Sequence, residues 1–357
     1  MDAHPNSWPI RQLKGSARID TLRFDYPIQR ASGQWTLKQK SLFIHSIVAG
    51  FPIPPFYFLR YYEERESQKK PVPVRWVLDG KQRLTTIFSF IDDEFALKKD
   101  TPIANIDGID YEIAGKKWSE LDEPVQTVIY GKMLPGYTMD QINTTDEEIE
   151  ELFFRLNSST ALTVPQKAKA LVGVQFSTLL NDISNHTLIT ELANFPATSI
   201  RKNEHQACIL QSMMLLEKFV FKKFSAPELS RYATTVKGDY ENKVQTLAKV
   251  EKAFDYLCNV FNKKEMFLLK KINFPMTVTL AYDAQENDVD PDEFLLWATA
   301  FVDAVNGKET NNPTSYLEYT GSGSTDLSKV NGRISEMRRH FEEYRALFRE
   351  KEAVGNK

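Results

Sequence analysis

The sequence predicts an α+β protein: a small mixed domain over residues 1–175, followed by a mainly α-helical domain over residues 176–357. Three observations carry this. Aromatic and β-branched runs, "FYFLRYY" (Phe56–Tyr62) and "VPVRWVL" (Val72–Leu78), read as strands in the front part. After about Gln175 the apolar residues recur at helical spacing, as in "NEHQACILQSMMLLEKFVF" and "DYENKVQTLAKVEKAFDYLCNVF". The 357 residues, 42% hydrophobic and 12% aromatic, are enough for one large or two ordinary domains with real cores.

The elements follow in order. Asp20–Thr36 is mixed, and Pro27 blocks a helix there. "TLKQKSLFIHSIVAG" predicts a helix capped by Thr36 and ended by Gly50, with Leu37, Lys40, Ile44, Ile47 and Val48 on one face. "FPIPPF" stops it, and the first strand follows. The polar "EERESQKKP" is a loop to the second strand. Gln82–Ile91 predicts an amphipathic helix. Phe95–Trp118 suggests short strands with turns at Asp107-Gly108 and Ala114-Gly115. Thr145 and Glu148 stand at capping-box spacing and open a helix to Asn157. Pro165 fits the first turn of the next helix. The rear is helical except for "YTGSGSTD" (Tyr319–Asp326), a flexible loop by composition.

A net charge of −3 argues against a non-specific nucleic-acid coat. Lysine pairs recur, Lys270-Lys271 among them, and read as scattered solvated charge; a shared phosphate-tracking face is the alternative. The two cysteines, Cys208 and Cys258, lack partners at metal-ligand spacing and read as buried thiols of a reducing compartment. No apolar run is long enough to span a membrane, and the opening residues lack a signal-peptide core. The expected location is the cytoplasm, with no membrane partner. Arg333–Glu350 carries both charge signs and reads as a salt-bridged surface helix; a homo-oligomer or partner helix is the alternative.

The segment richest in chemistry is "VLDGKQRLTTIFSF" (Val77–Phe90), where a buried strand meets a helix at Asp79-Gly80-Lys81-Gln82-Arg83. A helix N-terminus offers unpaired N–H groups and a positive dipole end, a ready anion site. Gly80 permits close approach, Arg83 and Lys81 supply positive charge, and Thr85 adds a hydroxyl. Asp79 is placed to hold a divalent metal, orient water or bond a ribose hydroxyl. This chemistry suits a nucleotide phosphate. The plain alternative stays open: a turn in which Asp79 caps the helix and Lys81 and Arg83 are solvated. Neither a Walker A pattern nor GxGxxG is present. Two more stretches join the set: "DYPIQR" with Gln29 and Arg30, and "FFRLNSST" with Asn157.

Taken in order, "YPIQR…W", "GFPIPPFYF", "VLDGKQRLTTIFSF" and "FFRLNSSTALTVPQKAKAL" resemble the N-terminal domain of GmrSD-type restriction systems, in the ParB/sulfiredoxin-like superfamily. The resemblance runs from about Phe24 to Val172. The family's hallmark is Asp-Gly-Gln-Gln-Arg after a strand; Lys81 replaces the first Gln here, which favours phosphate and removes an amide. The resemblance implies a nucleotide pocket, often linked to nucleoside-triphosphate hydrolysis, in defence against foreign or modified DNA. By carry-over, Asp79, Gln82 and Arg83 form the catalytic core. Gln29 and Arg30 complete the pocket from the opposite side, with Gly80, Lys81, Thr85 and Asn157 as further nucleotide contacts. Many relatives carry a C-terminal HNH-type nuclease. The five histidines here are scattered, so the rear is expected to be a sensor or partner domain, with any nuclease a separate defence protein.

The leading expectation is therefore a nucleoside-triphosphate hydrolase, with Mg²⁺ at Asp79 and DNA or a defence protein as partner. The alternatives are a non-catalytic nucleotide-switched DNA- or partner-binding module, and a ParB-like DNA nuclease.

Overall fold

A computed structural model describes residues 1–29, 35–66, 68–156, 164–308 and 310–355. The chain divides into two units, Met1–Ala161 and Leu162–Lys357. The first is a sheet with helices and the second is mostly helical, the α+β organisation read from the sequence.

The first unit holds strands β1 (Ala3–Pro9), β2 (Leu22–Arg23), β3 (Phe56–Glu63), β4 (Val72–Asp79), β5 (Ala104–Ile106), β6 (Ile109–Tyr111) and β7 (Met133–Asp140). Its helices are α1 (Ile10–Arg18), α2 (Leu37–Val48), α3 (Lys81–Ile91), α4 (Glu123–Gly131) and α5 (Asp146–Leu156). Five strands form one mixed sheet in the order β1-β7-β3-β4-β2. β5 and β6 make a separate hairpin around Asp107-Gly108.

Alternation places Phe56 and Phe58 of β3, Val77 of β4 and Leu134 of β7 in one core. Ile10 and Leu13 of α1, Ile44 and Ile47 of α2, Leu84, Ile87 and Phe90 of α3, and Val125 and Ile129 of α4 complete it. Thr36 and Gln39 form a reciprocal capping box on α2, as Thr145 and Glu148 do at the start of α5. The buried face of α2 differs from the expected one in two places. Leu37 is exposed, and Ser41 is buried because its Oγ accepts the Lys98 N–H. Lys40 lays its ammonium over the Phe95 ring.

The second unit comprises α6 (Val164–Leu171), α7 (Val174–Ser184), α8 (Ala197–Arg201), α9 (Glu204–Leu216), α10 (Ala226–Gly238), α11 (Tyr240–Val260), α12 (Phe274–Glu286), α13 (Pro291–Val305) and α14 (Leu327–Gly355). From Phe274 to Ala281 every residue of α12 is buried, the sign of a helix wrapped on all sides. It packs against α9, α11 and α14. α14 departs from the surface helix expected there. Val330, Arg333, Ile334, Met337, His340 and Phe341 are all buried. The Trp297 indole N–H donates to His340 Nδ1 at 3.1 Å, so the ring proton sits on Nε2 and is donated to Asn312 O at 2.9 Å. The ion pairs expected along α14 are present, including Arg338 with Asp283 and Arg345 with Glu293. The "YTGSGSTD" loop is tied down: Thr325 O accepts from Phe224 N at 2.7 Å, and Lys222 O accepts from Leu327 N at 2.8 Å.

Both cysteines are free thiols, and burial pushes the Cys208 thiol up to about 12. Among the described residues, no helix is long and apolar enough to cross a membrane.

Candidate functional site

The site begins where β4 ends. Val77 is core, Asp79 is half-buried, and the chain turns at Gly80 with φ 98° and ψ 4° before α3 starts. Glycine is required there twice over. The left-handed backbone disfavours any side chain, and a Cβ would lie 2.2 Å from Phe56 Cδ1. The neighbouring strand is also irregular: β3 carries a register shift at Tyr57/Phe58, with Tyr57 paired to Asp79. Bulges of this kind re-aim side chains near functional sites.

Asp79 does not cap α3, whose first turn has no side-chain cap. Its Oδ2 instead accepts from Arg83 Nη2 at 2.7 Å, one helical turn along. The same guanidinium donates to Pro54 O and, at 3.0 Å, to Pro55 O, and it lies 4.3 Å from the centroid of the Phe56 ring. Arg83 is thus neither solvated nor pointing outward. It clamps the proline loop before β3 to the carboxylate at the end of β4. Burial lowers its pKa, with Asp79 opposing. The guanidinium stays charged regardless.

Lys81 contrasts with it. Among the described residues its ammonium has no hydrogen-bond or ion-pair partner. Burial pulls its pKa below the ordinary lysine value, opposed by the charge of exposed Asp25. Gln29 is buried, and its side-chain amide donates to Val77 O and, at 2.8 Å, to Leu78 O, fixing the Asp25–Gln29 turn against the end of β4. Gln82 is half-buried in the first turn of α3. The Thr85 hydroxyl donates back to Lys81 O at 2.9 Å, leaving its lone pairs as acceptors.

The structure therefore gathers Gln29, Asp79, Gly80, Lys81, Gln82 and Arg83 around one strand–helix junction, with Thr85 one turn inside. Arg30 and Asn157 lie outside the described residues. Three participants escaped the sequence reading: Asp25 beside Lys81, Tyr57 opposite Asp79, and the carbonyls of Pro54 and Pro55. The doubled proline of "FPIPPF" was the available signal, because fixed φ angles hold those carbonyls in place.

Chemically, the junction offers an uncapped helix N-terminus, one unpaired cation and one carboxylate oxygen, Asp79 Oδ1, without a hydrogen bond among the described residues. No group of three or more His, Cys, Asp or Glu gathers at metal-binding distance among them. A site of this kind fits Mg²⁺ only in the manner usual for that ion, with one carboxylate joined by phosphate oxygens and water.

Residues 12–173 match the family model described as GmrSD restriction endonuclease, N-terminal domain. No curated protein matches the chain. The front of the chain, residues 12–173, is thus similar to a GmrSD-type N-terminal domain.

Proposed function

We propose, on the premise that the chain carries a GmrSD-type N-terminal domain, that its first unit binds a nucleoside triphosphate at the β4–α3 junction and hydrolyses it. The observation that carries this reading is Lys81: a half-buried cation without a partner among the described residues, at an uncapped helix N-terminus entered through Gly80. An unpaired, partly desolvated charge is costly, and a phosphate would satisfy it together with the first N–H groups of α3.

The proposed roles are as follows. Lys81 and the α3 amides neutralise phosphate charge. Asp79 Oδ1 orients the attacking water or joins the shell of a nucleotide-bound Mg²⁺, which would supply further charge neutralisation. Gln82, able to donate and accept, positions the water or the terminal phosphate. Arg83 holds Asp79 and the proline loop in register. Gln29 fixes the facing turn, where Arg30 would complete the pocket, and Asn157 and the Thr85 hydroxyl are further contacts. DNA, or a separate nuclease or other defence protein, is the partner to which the nucleotide state would be relayed.

A second reading has its own support. Arg83 is committed to Asp79, Pro54 O and Pro55 O, so no arginine among the described residues of this junction is free to follow developing charge in a transition state. This favours a nucleotide-switched binding module without turnover.

The test is phosphate release and equilibrium binding with each common ribonucleoside triphosphate plus Mg²⁺, with and without DNA, for wild type, Lys81→Ala and Asp79→Asn. Hydrolysis predicts release that Asp79→Asn abolishes while retaining binding, and binding that Lys81→Ala weakens at least about tenfold, the loss of a charge-assisted contact. Binding without release selects the switch. Neither binding nor release, with DNA cut in the absence of nucleotide, selects the ParB-like nuclease and overturns both.

A further inference from the structure

The second unit contains a cavity of about 900 Å³, within the size range of small-molecule sites. Phe224, Leu229 and Pro275 give it apolar walls, and Lys202, Lys270, Lys271 and Arg333 also line it. The one carboxylate among its lining residues, Glu204, is already paired with Lys271 at 3.0 Å. The lining therefore carries a positive excess.

Arg333 is the decisive group. It lies on α14 with 1% of its surface exposed. Its Nη2 donates to Ser324 O at 2.6 Å, in the loop that closes one side of the cavity. Its Nε and Nη1 find no hydrogen-bond acceptor among the described residues, and no carboxylate pairs with it there. A guanidinium cannot escape by losing its proton. A buried cation with two empty donors is among the costlier arrangements a fold can keep. Ser324 and Thr325 stand beside it on a loop turned by Gly321 and Gly323, both at positive φ. The loop is fastened to the Lys222–Phe224 segment, so the donors around Arg333 are held in place before any ligand arrives.

We propose that this cavity is an anion site of the helical unit, taking a small organic phosphate of mononucleotide size. The phosphate would meet Arg333, Lys202 and Lys270, and the apolar body would lie against Phe224, Leu229 and Pro275. The site is independent of the β4–α3 junction and rests on different residues. It gives the helical unit a ligand of its own.

The experiment is calorimetric titration of the full chain carrying Lys81→Ala, so that the junction in the first unit is weakened as a competing site. The probes are the common ribonucleoside monophosphates, the matching nucleosides, and inorganic phosphate. At least one monophosphate should bind, more tightly than inorganic phosphate and than its own nucleoside. Adding Lys202→Ala and Lys270→Ala together, at positions outside the core, should weaken it at least about tenfold. Arg333→Met should abolish it while raising the Tm of the unliganded protein, because an unpaired buried charge is gone. No binding by any monophosphate, nucleosides binding as tightly as their monophosphates, or binding unmoved by the double lysine substitution would overturn the proposal.

Discussion

Replacing Gly80 with alanine should damage the first unit out of proportion to the single methyl added. The added Cβ would stand 2.2 Å from Phe56 Cδ1 and 2.7 Å from Phe56 Cε1. Phe56 has no exposed surface, stacks on Phe58, and lies beneath the Arg83 guanidinium, so it has nowhere to go. The left-handed backbone adds about 1–2 kcal/mol for an L-residue, and overpacking a fixed core side chain adds about 1–3 kcal/mol. Together the loss should be about 2–5 kcal/mol, at the upper end of single substitutions. Four of the five tryptophans, Trp8, Trp35, Trp76 and Trp118, lie in this unit, so fluorescence during urea unfolding reports on it. A Phe56→Ala background removes Cγ, Cδ1 and Cε1, the atoms a Cβ at position 80 would strike. In that background Gly80→Ala should cost only the backbone share, about 1–2 kcal/mol. A loss below about 1 kcal/mol in the wild-type background, or no difference between the two backgrounds, would refute the reasoning.

Nucleotide binding should weaken as pH rises through the Lys81 pKa, which burial holds below the ordinary lysine value: the cation is intact below that point and lost above it. Affinity measured across pH should show this step in wild type and lack it in Lys81→Arg. Burial, with the Lys169 charge, lowers His205 to about 4, from 6.5 when exposed, so its neutral form is the folded one. Stability of the second unit should then be full above the unfolded value and fall as pH drops from there to about 4, by about 3 kcal/mol; urea unfolding of His205→Gln should show a smaller acid loss. Replacing His340 by alanine strands the Trp297 N–H and the Asn312 carbonyl in the core. It should cost about 3 kcal/mol, read from urea unfolding followed through Trp297, the remaining tryptophan.

Much of this architecture was written in local pattern. β3 and β4 announced themselves through aromatic and β-branched runs, α2 and α5 through their caps, and the β5–β6 hairpin through Asp107-Gly108. The junction was legible because four polar residues and a glycine between a strand and a helix exceed what a turn needs. What stayed hidden depends on contacts across the chain. β1 shows burial only at Trp8 and so lacks alternation. β7 contains Pro135 and Gly136, which argue against a strand. Gly136 is there because a side chain would strike the Phe56 carbonyl at 2.7 Å. The clamp made by Arg83 required Pro54 and Pro55 to arrive from another element. Arg333 sits in a charged stretch whose composition says solvent, yet α14 buries that position. Burial of a charge is decided by neighbours that periodicity does not name.

The placement of β7 has a consequence for synthesis on the ribosome. β7 lies between β1 and β3, pairing Ala3 with Met139 on one side and Phe56 with Gly136 on the other. The nascent chain can close the β3–β4 pair and α3 early, since these are neighbours in sequence. β1, translated before β3, has no ladder to join until residues 133–140 have emerged. Until then β3 presents a bare edge to any second nascent chain, an invitation to edge pairing. Completion of the sheet is thus a late, long-range and comparatively slow event. A pause in translation just before β7 would prolong the most vulnerable stage in the life of this protein.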